Sequence, residues 1–256
     1  MNKTLTYCFE QEMVPKVLAD TAQNGLAVID TEGNEDAVRN AVERGQLVYG
    51  YLNAGALESE RSYYGTFKHL KLARYDGWDG EYWIDVTDKE WQDHLVTEAQ
   101  KIKATGAIGL YLDNTDIYYM CAEGFKEEHS RMIKKAPSAP LVYKALESVI
   151  LQISNLGLVV MPNGGDTFVR KFISAHPGVI KTVNQEGVLY QDKKRQSKED
   201  TEYYTEYLDW CRDRGIYIRG IEYPRTKEQA LLCEEYYTKH HWQGLYISFH
   251  KDLRGD

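Results

Sequence analysis

The sequence predicts an α/β fold, a single (β/α)8 barrel of the TIM type over residues 1–256, and three observations carry that reading. Eight short runs of β-branched and aromatic residues alternate with helix-forming stretches, as parallel βαβ units require. A glycine stands just before most of these runs. The length suits one barrel, which commonly takes roughly 250 residues around one core.

The strands are expected at Leu5–Phe9, Leu26–Asp30, Leu47–Asn53, Ile108–Asp113, Leu158–Pro162, Val179–Gln185, Ile216–Glu222 and Leu245–Phe249. Gly25, Gly45, Gly106, Gly157, Gly178, Gly215 and Gly244 precede seven of them, where a helix must close on a residue that tolerates positive φ. Thr87 to Glu90 and Thr226 to Gln229 match capping boxes and mark two helix starts. After the first, Trp91, Leu95, Ala99 and Ile102 recur at helical spacing and form one apolar face for the sheet. A further strand, Tyr82–Val86, is assigned to a long insertion at about 54–87 between the third and fourth strands. The charged run Lys193 to Asp200 reads as a solvated loop.

Composition narrows the function. The 43% hydrophobic content supplies a core, and the net charge of -8 argues against nucleic acid while suiting a neutral or cationic ligand. No stretch is apolar enough to span a membrane, and Met1 to Glu10 lacks a signal-peptide layout. The chain as it stands is expected in the cytoplasm, and outside the cell if a leader has been removed. Cys8, Cys121, Cys211 and Cys233 lie too far apart for a zinc motif and read as buried free thiols. No cofactor is expected: dinucleotide, Walker and Gly-x-Ser-x-Gly fingerprints are absent, and Asn163-Gly164-Gly165 reads as a turn. The seven His form no metal-binding motif, and Lys181 falls at the wrong end of its strand for a Schiff base.

In such a barrel the strand C-termini form the reactive face. Asp30, Glu58, Asp85, Asp113, Asp116, Asp166, Glu186 and Glu222 all fall at or just beyond strand ends. Asp166 is expected to cap a helix from Thr167, and Asp30 a turn at Thr31 to Asn34. The sharpest signal is Gly109 to Asp116, an apolar strand running into Asp113-Asn114-Thr115-Asp116; the competing reading is an Asx turn. The second is Glu186 before Gly187. Asp113 on the fourth strand and Glu186 on the sixth belong to alternate strands, which share a layer, so they can face each other as glycosidic hydrolysis requires. Trp78 and Trp83 in the insertion, with Tyr63, Tyr64, Tyr118 and Tyr119 near the rim, are candidates to stack on sugar faces.

Several segments resemble glycoside hydrolase family 114, the endo-α-1,4-polygalactosaminidase-like TIM barrels. Tyr49-Gly50-Tyr51-Leu52 with Gly55, Glu58 and Arg61 resembles the family's third-strand segment. Trp83-Ile84-Asp85-Val86 resembles its W-x-D-V, and Gly109 to Asp116 its G-x-x-x-D-N-x-D; Asn163, Glu186 and Tyr223 match weaker positions. The resemblance implies a glycosidase acting on an α-linked galactosamine polymer, with Asp113 and Glu186 as the catalytic pair. Asp113 is expected as nucleophile and Glu186 as acid/base, with retention of configuration. Glu58, Arg61, Asp85, Asn114, Asp116, Asn163, Glu222, Tyr223, Trp78 and Trp83 are expected to bind the polysaccharide or oligosaccharide substrate, with no metal. Two positions depart from the family: Ala56 replaces a usual Glu, and Glu222 a more common Asp. The Ala56 departure keeps open a non-catalytic carbohydrate-binding barrel. A third reading is a metal-dependent hydrolase with Asp113, Asp116 and Glu186 as oxygen ligands.

Overall fold

Each strand run pairs with the next only when the intervening helix carries the chain back across the sheet, and that return sets the element order. The computed structural model describes residues 3–127, 132–250 and 253. β1 (Lys3–Cys8) is followed by α1 (Val14–Asp20), β2 (Thr21–Ile29), α2 (Glu35–Glu43) and β3 (Leu47–Asn53). Next come β4 (Ala56–Glu58), α3 (Tyr64–Phe67), β5 (Lys71–Arg74), β6 (Glu81–Ile84) and α4 (Lys89–Ala104). β7 (Gly109–Asp113) leads into α5 (Ile117–Tyr119), a π-helical turn at Met120–Gly124, α6 (Phe125–Glu127) and α7 (Ala139–Asn155). The chain continues through β8 (Val159–Pro162), α8 (Asp166–Ala175), β9 (Thr182–Glu186) and the hairpin β10 (Tyr190–Gln191) and β11 (Lys194–Arg195). It ends with α9 (Lys198–Arg212), β12 (Tyr217–Glu222), α10 (Lys227–His240) and β13 (Gly244–Ile247).

The eight expected strands correspond to β1, β2, β3, β7, β8, β9, β12 and β13, and they form a (β/α)8 barrel. Parallel ladders join β1-β2-β3-β7-β8 and β9-β12-β13. One seam is closed by a single parallel bridge between Asn163 and Asn184, where β8 meets β9. At the other, β13 lies against β1. Among the described residues no helix is long and apolar enough to cross a membrane.

The glycine rhythm holds at five of its seven positions: Gly45, Gly106, Gly157, Gly178 and Gly215 all have positive φ. The other two expectations are corrected. Gly25 lies inside β2, and the left-handed residue there is Asn24 (φ 64), at a register shift that lets Thr21 pair with Lys3. Gly244 opens β13, and α10 closes on left-handed His241 instead. The first capping box is shifted by one residue: Asp88 caps α4 by accepting from the N–H groups of Glu90 and Trp91. Thr226 caps α10 as expected, accepting from Gln229 N. Asp166 does not cap α8; it is the first helical residue, after left-handed Gly165. Three of the cysteines are buried, and Cys121 is half-buried.

Two apolar layers result from the alternation of side chains along each strand. Outside the barrel, Trp91, Leu95, Ala99 and Ile102 of α4 join the large core between helices and sheet. Inside, Tyr7, Val28, Tyr49, Tyr111, Met161, Ile221 and Tyr246 fill the lumen. Tyrosine dominates there because its ring fills the lumen while its hydroxyl reaches polar groups at the mouth. Tyr82–Val86 is outside the barrel: β6 is the middle strand of a small antiparallel sheet, β4-β6-β5, with Glu58 opposite Glu81 and Ala56 opposite Trp83.

The insertion is docked by close backbone contact. A Cβ on Gly55 would stand 1.9 Å from the carbonyl oxygen of Asn114, just beyond β7. Backbone on both sides leaves no flexible side chain to yield. Gly55→Ala is therefore expected to cost roughly 2–4 kcal/mol. The measurement is the urea midpoint, which should fall at unchanged slope.

Candidate active site

A cleft of about 980 Å³ opens at the C-terminal ends of the strands. Its lining includes Glu10, Asp30, Glu32, Glu58, Glu60, Glu81, Asp113, Asp116, Asp166 and Glu186, against a single basic residue among the described ones, Arg61. That imbalance gives the cleft a negative field that attracts cations. Phe9, Tyr51, Tyr75, Trp78, Tyr204 and Tyr223 supply aromatic surface.

Asp113 ends β7 and Glu186 ends β9, with β8 between them. Asn163, one residue beyond β8, spans the gap. Its Nδ2 donates to Asp113 Oδ1 at 3.0 Å and to Glu186 Oε1 at 2.8 Å. The two carboxylate oxygens therefore stand no farther apart than the sum of those bonds. Glu186 also accepts from the Tyr111 hydroxyl at 3.0 Å on Oε1 and from the Tyr223 hydroxyl on Oε2. The other oxygen of Asp113, Oδ2, has only a long contact of 3.3 Å from the Tyr51 hydroxyl, while Asn114 N donates to Oδ1 at 3.0 Å.

A second cluster sits beside this pair. Arg61 bridges Glu58 through Nε, and its Nη1 reaches Asp30 Oδ2 at 2.7 Å and Glu32 Oε2 at 3.0 Å. Burial opposes the guanidinium charge, but Glu58 and Asp30 outweigh it and hold Arg61 firmly protonated. Tyr51 donates to Glu58 Oε1 at 2.8 Å and so joins the cluster to Asp113. Asp30 Oδ1 accepts from Glu32 N, making the expected turn.

Of the sequence-derived candidates, Glu58, Arg61, Trp78, Asn114, Asp116, Asn163 and Tyr223 line the cleft with Asp113 and Glu186. Asn114 is 4% exposed and left-handed (φ 59), and its amide is spent on Asn53 Oδ1 at 3.0 Å. Asp116 Oδ1 accepts from Gly165 N at 3.1 Å, tying the loop after β7 to the loop after β8. Three candidates lie elsewhere. Asp85 accepts from Thr87 N and Oγ1, closing a turn before α4. Trp83 is 6% exposed and packs on Tyr75 at 4.6 Å between ring centroids. Glu222 is fully buried, accepting from Leu189 N, Tyr190 N and Tyr237 Oη, and anchors the loop after β9. Tyr63, Tyr64, Tyr118 and Tyr119 do not line the cleft; Tyr63 packs on Phe67 and His94, and Tyr118 on Tyr143 and Phe168. Ala56 is buried at the start of β4 in the insertion sheet, with its N–H on Asn53 Oδ1.

Sequence reasoning missed Tyr51, Tyr111 and Glu81. The two tyrosines had a signal: each lies two residues before an inward polar group, Asn53 and Asp113, so strand alternation puts them on the same face. Glu81 had none, because its place depends on the antiparallel register that sets it opposite Glu58. Among the described residues, no group of three His, Cys, Asp or Glu side chains is placed to hold a metal ion.

Burial dominates the acidity of the cleft. It raises Asp113 to about 7, helped by the charge of Glu186 and opposed by the hydrogen bonds from Asn163 and Asn114. Burial, then Asp166, raises Asp116 to about 6. Burial, then Glu58 and Asp113, raises Glu81 to about 8.

Comparison with known proteins gives a consistent picture. The sequence profile of Glycoside-hydrolase family GH114 matches residues 2–253. The glycoside hydrolase domain of PelA from Pseudomonas aeruginosa, in a variant form, superposes with a TM-score of 0.77 at 18% identity, covering 100% of this chain and 98% of that one. Ega3 from Aspergillus fumigatus, in complex with galactosamine, superposes with a TM-score of 0.70 at 14% identity, covering 98% and 91%. At these identities the likeness is one of fold. An uncharacterized protein of Methanocaldococcus jannaschii, MJ1477, is 20% identical over 226 residues, which are 80% of this chain and 61% of that protein. The chain thus spans about three-fifths of the length of that curated relative.

The raised pKa of Asp113 has a signed consequence for stability. Its folded value of about 7 exceeds its ordinary 3.8, so the contribution is fully present below about pH 4. It is lost as pH rises toward 7, because the unfolded chain ionises first. Asp113→Asn removes this slope. Its melting temperature relative to wild type is expected to climb between pH 4 and pH 7 and then level off, by an amount on the order of 4 kcal/mol in stability. Melts at one-unit pH intervals check this, and a difference that stays flat refutes it.

Proposed function

The chain belongs to glycoside-hydrolase family GH114, and from that premise we propose that it hydrolyses an α-linked, galactosamine-containing polysaccharide through Asp113 and Glu186, with retention of configuration. The observation that carries the reading is the single Asn163 amide bonded to both carboxylates at 3.0 and 2.8 Å. That span falls short of the roughly 6.5–9.5 Å of inverting enzymes and is compatible with the roughly 5–5.5 Å of retaining ones.

In this reading the proton of the Glu186 carboxyl passes to the leaving glycosidic oxygen as an Asp113 oxygen bonds to the anomeric carbon and the glycosidic bond breaks. Water then attacks the anomeric carbon, Glu186 takes its proton, and Asp113 leaves as carboxylate. Asp113 Oδ2, without a short hydrogen bond, is the oxygen free to attack. In the resting cleft Glu186 accepts three hydrogen bonds, and burial with the charge of Glu186 raises Asp113 to about 7. A substrate ammonium group beside Asp113 favours its ionised form, the form that attack requires. The acidic lining and its committed Arg61 support a cationic sugar chain for the same reason. The alternative of a binding barrel drew on Ala56, and that departure leaves Asp113, Glu186 and the Asn163 amide between them in place.

Asp113→Asn and Glu186→Gln are each expected to lower kcat on partly deacetylated galactosamine oligomers by about 10³-fold or more, with KM changed far less. A mechanism-based 2-fluoro glycoside should leave a covalent adduct on Asp113, identified by peptide mass spectrometry. An adduct on Glu186 would exchange the two roles, and full turnover by either variant would remove the pair from the reaction.

A further inference from the structure

An amide side chain is two-ended, donating from nitrogen and accepting at oxygen. Asn163 serves the carboxylate pair only if its nitrogen faces them. Turned over, it would set its carbonyl oxygen against two acidic oxygens. The residues that fix its orientation lie deeper in the barrel.

Asn184 on β9 is fully buried and donates from Nδ2 to Asn163 Oδ1 at 2.8 Å. That bond occupies the accepting end of Asn163 and leaves its Nδ2 for the carboxylates. Asn184 carries the same ambiguity, and it is resolved one step further in. Its Oδ1 accepts the hydroxyl of Tyr7 at 2.8 Å. Tyr7 is 0% exposed, packed among Tyr111 and Tyr246 inside the lumen, where an unsatisfied hydroxyl proton would be costly. Turning Asn184 over would point that proton at an amide donor and oppose two amide carbonyls. Asn184 Nδ2 also reaches the Tyr111 oxygen at 3.3 Å, and the Tyr111 hydroxyl donates to Glu186 Oε1 at 3.0 Å. Two directed paths thus start at Asn184, and both deliver donors to the acidic pair.

We propose that Asn184, held by Tyr7, is a positioning residue for the reaction: it sets the polarity of the Asn163 amide and the Tyr111 hydroxyl so that the amide presents hydrogen to both Asp113 and Glu186 and the hydroxyl to Glu186. The proposal rests on Asp113 and Glu186 being the reacting pair. Asn184 is no catalytic group, since it lies behind the cleft and reaches the carboxylates only through other side chains. The same residue closes the barrel seam, through its bridge to Asn163 and the bond from Gly164 N to its carbonyl at 3.0 Å. Closure and polarity are therefore set together.

The test is a carbon-13 NMR titration of the Asp113 carboxyl in the full chain, for wild type, Asn184→Leu, Asn163→Ala and the double variant. Leu copies the branching of Asn and adds no charge, while Asp116, Glu186 and Tyr51 around Asp113 stay in place. Asn184→Leu is expected to move the Asp113 midpoint up by about one pH unit, because the carboxylate loses an aligned donor. Asn163→Ala should do the same, and the double variant should go no further than Asn163→Ala alone. On substrate, kcat of Asn184→Leu should fall about tenfold with KM within about twofold. Additive midpoint shifts, or an unmoved midpoint in Asn184→Leu, overturn the proposal, since a merely structural role gives one or the other. Should Asn184→Leu fail to fold, Tyr7→Phe removes one oxygen and enters the same cycle with the same expectation. The titration needs no turnover, so a wild type inactive on every galactosamine oligomer would remove the proposed function while the midpoints still decide the relay.

Discussion

The cleft depends on one interaction, the Asn163 amide that donates to two carboxylates at once. Bringing Asp113 and Glu186 together out of water costs free energy twice, through desolvation and through mutual repulsion. Only donors already fixed in place offset that cost without having to reorganise. Asn163, Tyr111 and Tyr223 are such donors, and each is set by a strand or by the residue just past one. The residual cost appears as the raised pKa of Asp113. A barrel mouth suits this arrangement because neighbouring parallel strands hold their C-terminal residues at fixed spacing.

The insertion extends the same logic. β4 brings Glu58 and β6 brings Glu81 to the cleft on antiparallel strands, a pairing of like charges that is unfavourable on its own. Arg61 offsets part of it by binding Glu58, Asp30 and Glu32 together. The insertion thereby closes one wall of the cleft and leaves it strongly acidic. Gly55 lets the insertion meet the loop after β7 backbone to backbone, so the wall and Asp113 are positioned by one contact.

Tyrosines that look unremarkable one at a time acquire roles through the lumen. Tyr7, Tyr51, Tyr111 and Tyr223 place rings in or above the core and hydroxyls on polar partners. The rim tyrosines that seemed suited to stacking on sugar, Tyr63 and Tyr118 among them, are packed against helices instead. The difference is one of face. Strand alternation decides which tyrosines look inward, and helix or loop residues near the rim carry no such rule.

Local patterns were enough to determine the barrel, its eight strands, the insertion and the two strand-end acids, because periodicity and turn chemistry act over a few residues. Family resemblance added the glycosidase reading and Asn163. Tertiary structure alone decided which acids share the cleft. Glu222 ends a strand just as Asp113 does and Asp85 lies just past one, yet Asp85 closes a turn and Glu222 is buried under the loop after β9. Glu81, with no local mark, faces the site. The polarity of Asn163 was equally illegible, since an amide has no preferred end until Asn184 and Tyr7, distant in sequence, are brought against it. Such choices belong to long-range contacts, where burial and the need to satisfy every buried polar group outweigh what any short segment specifies.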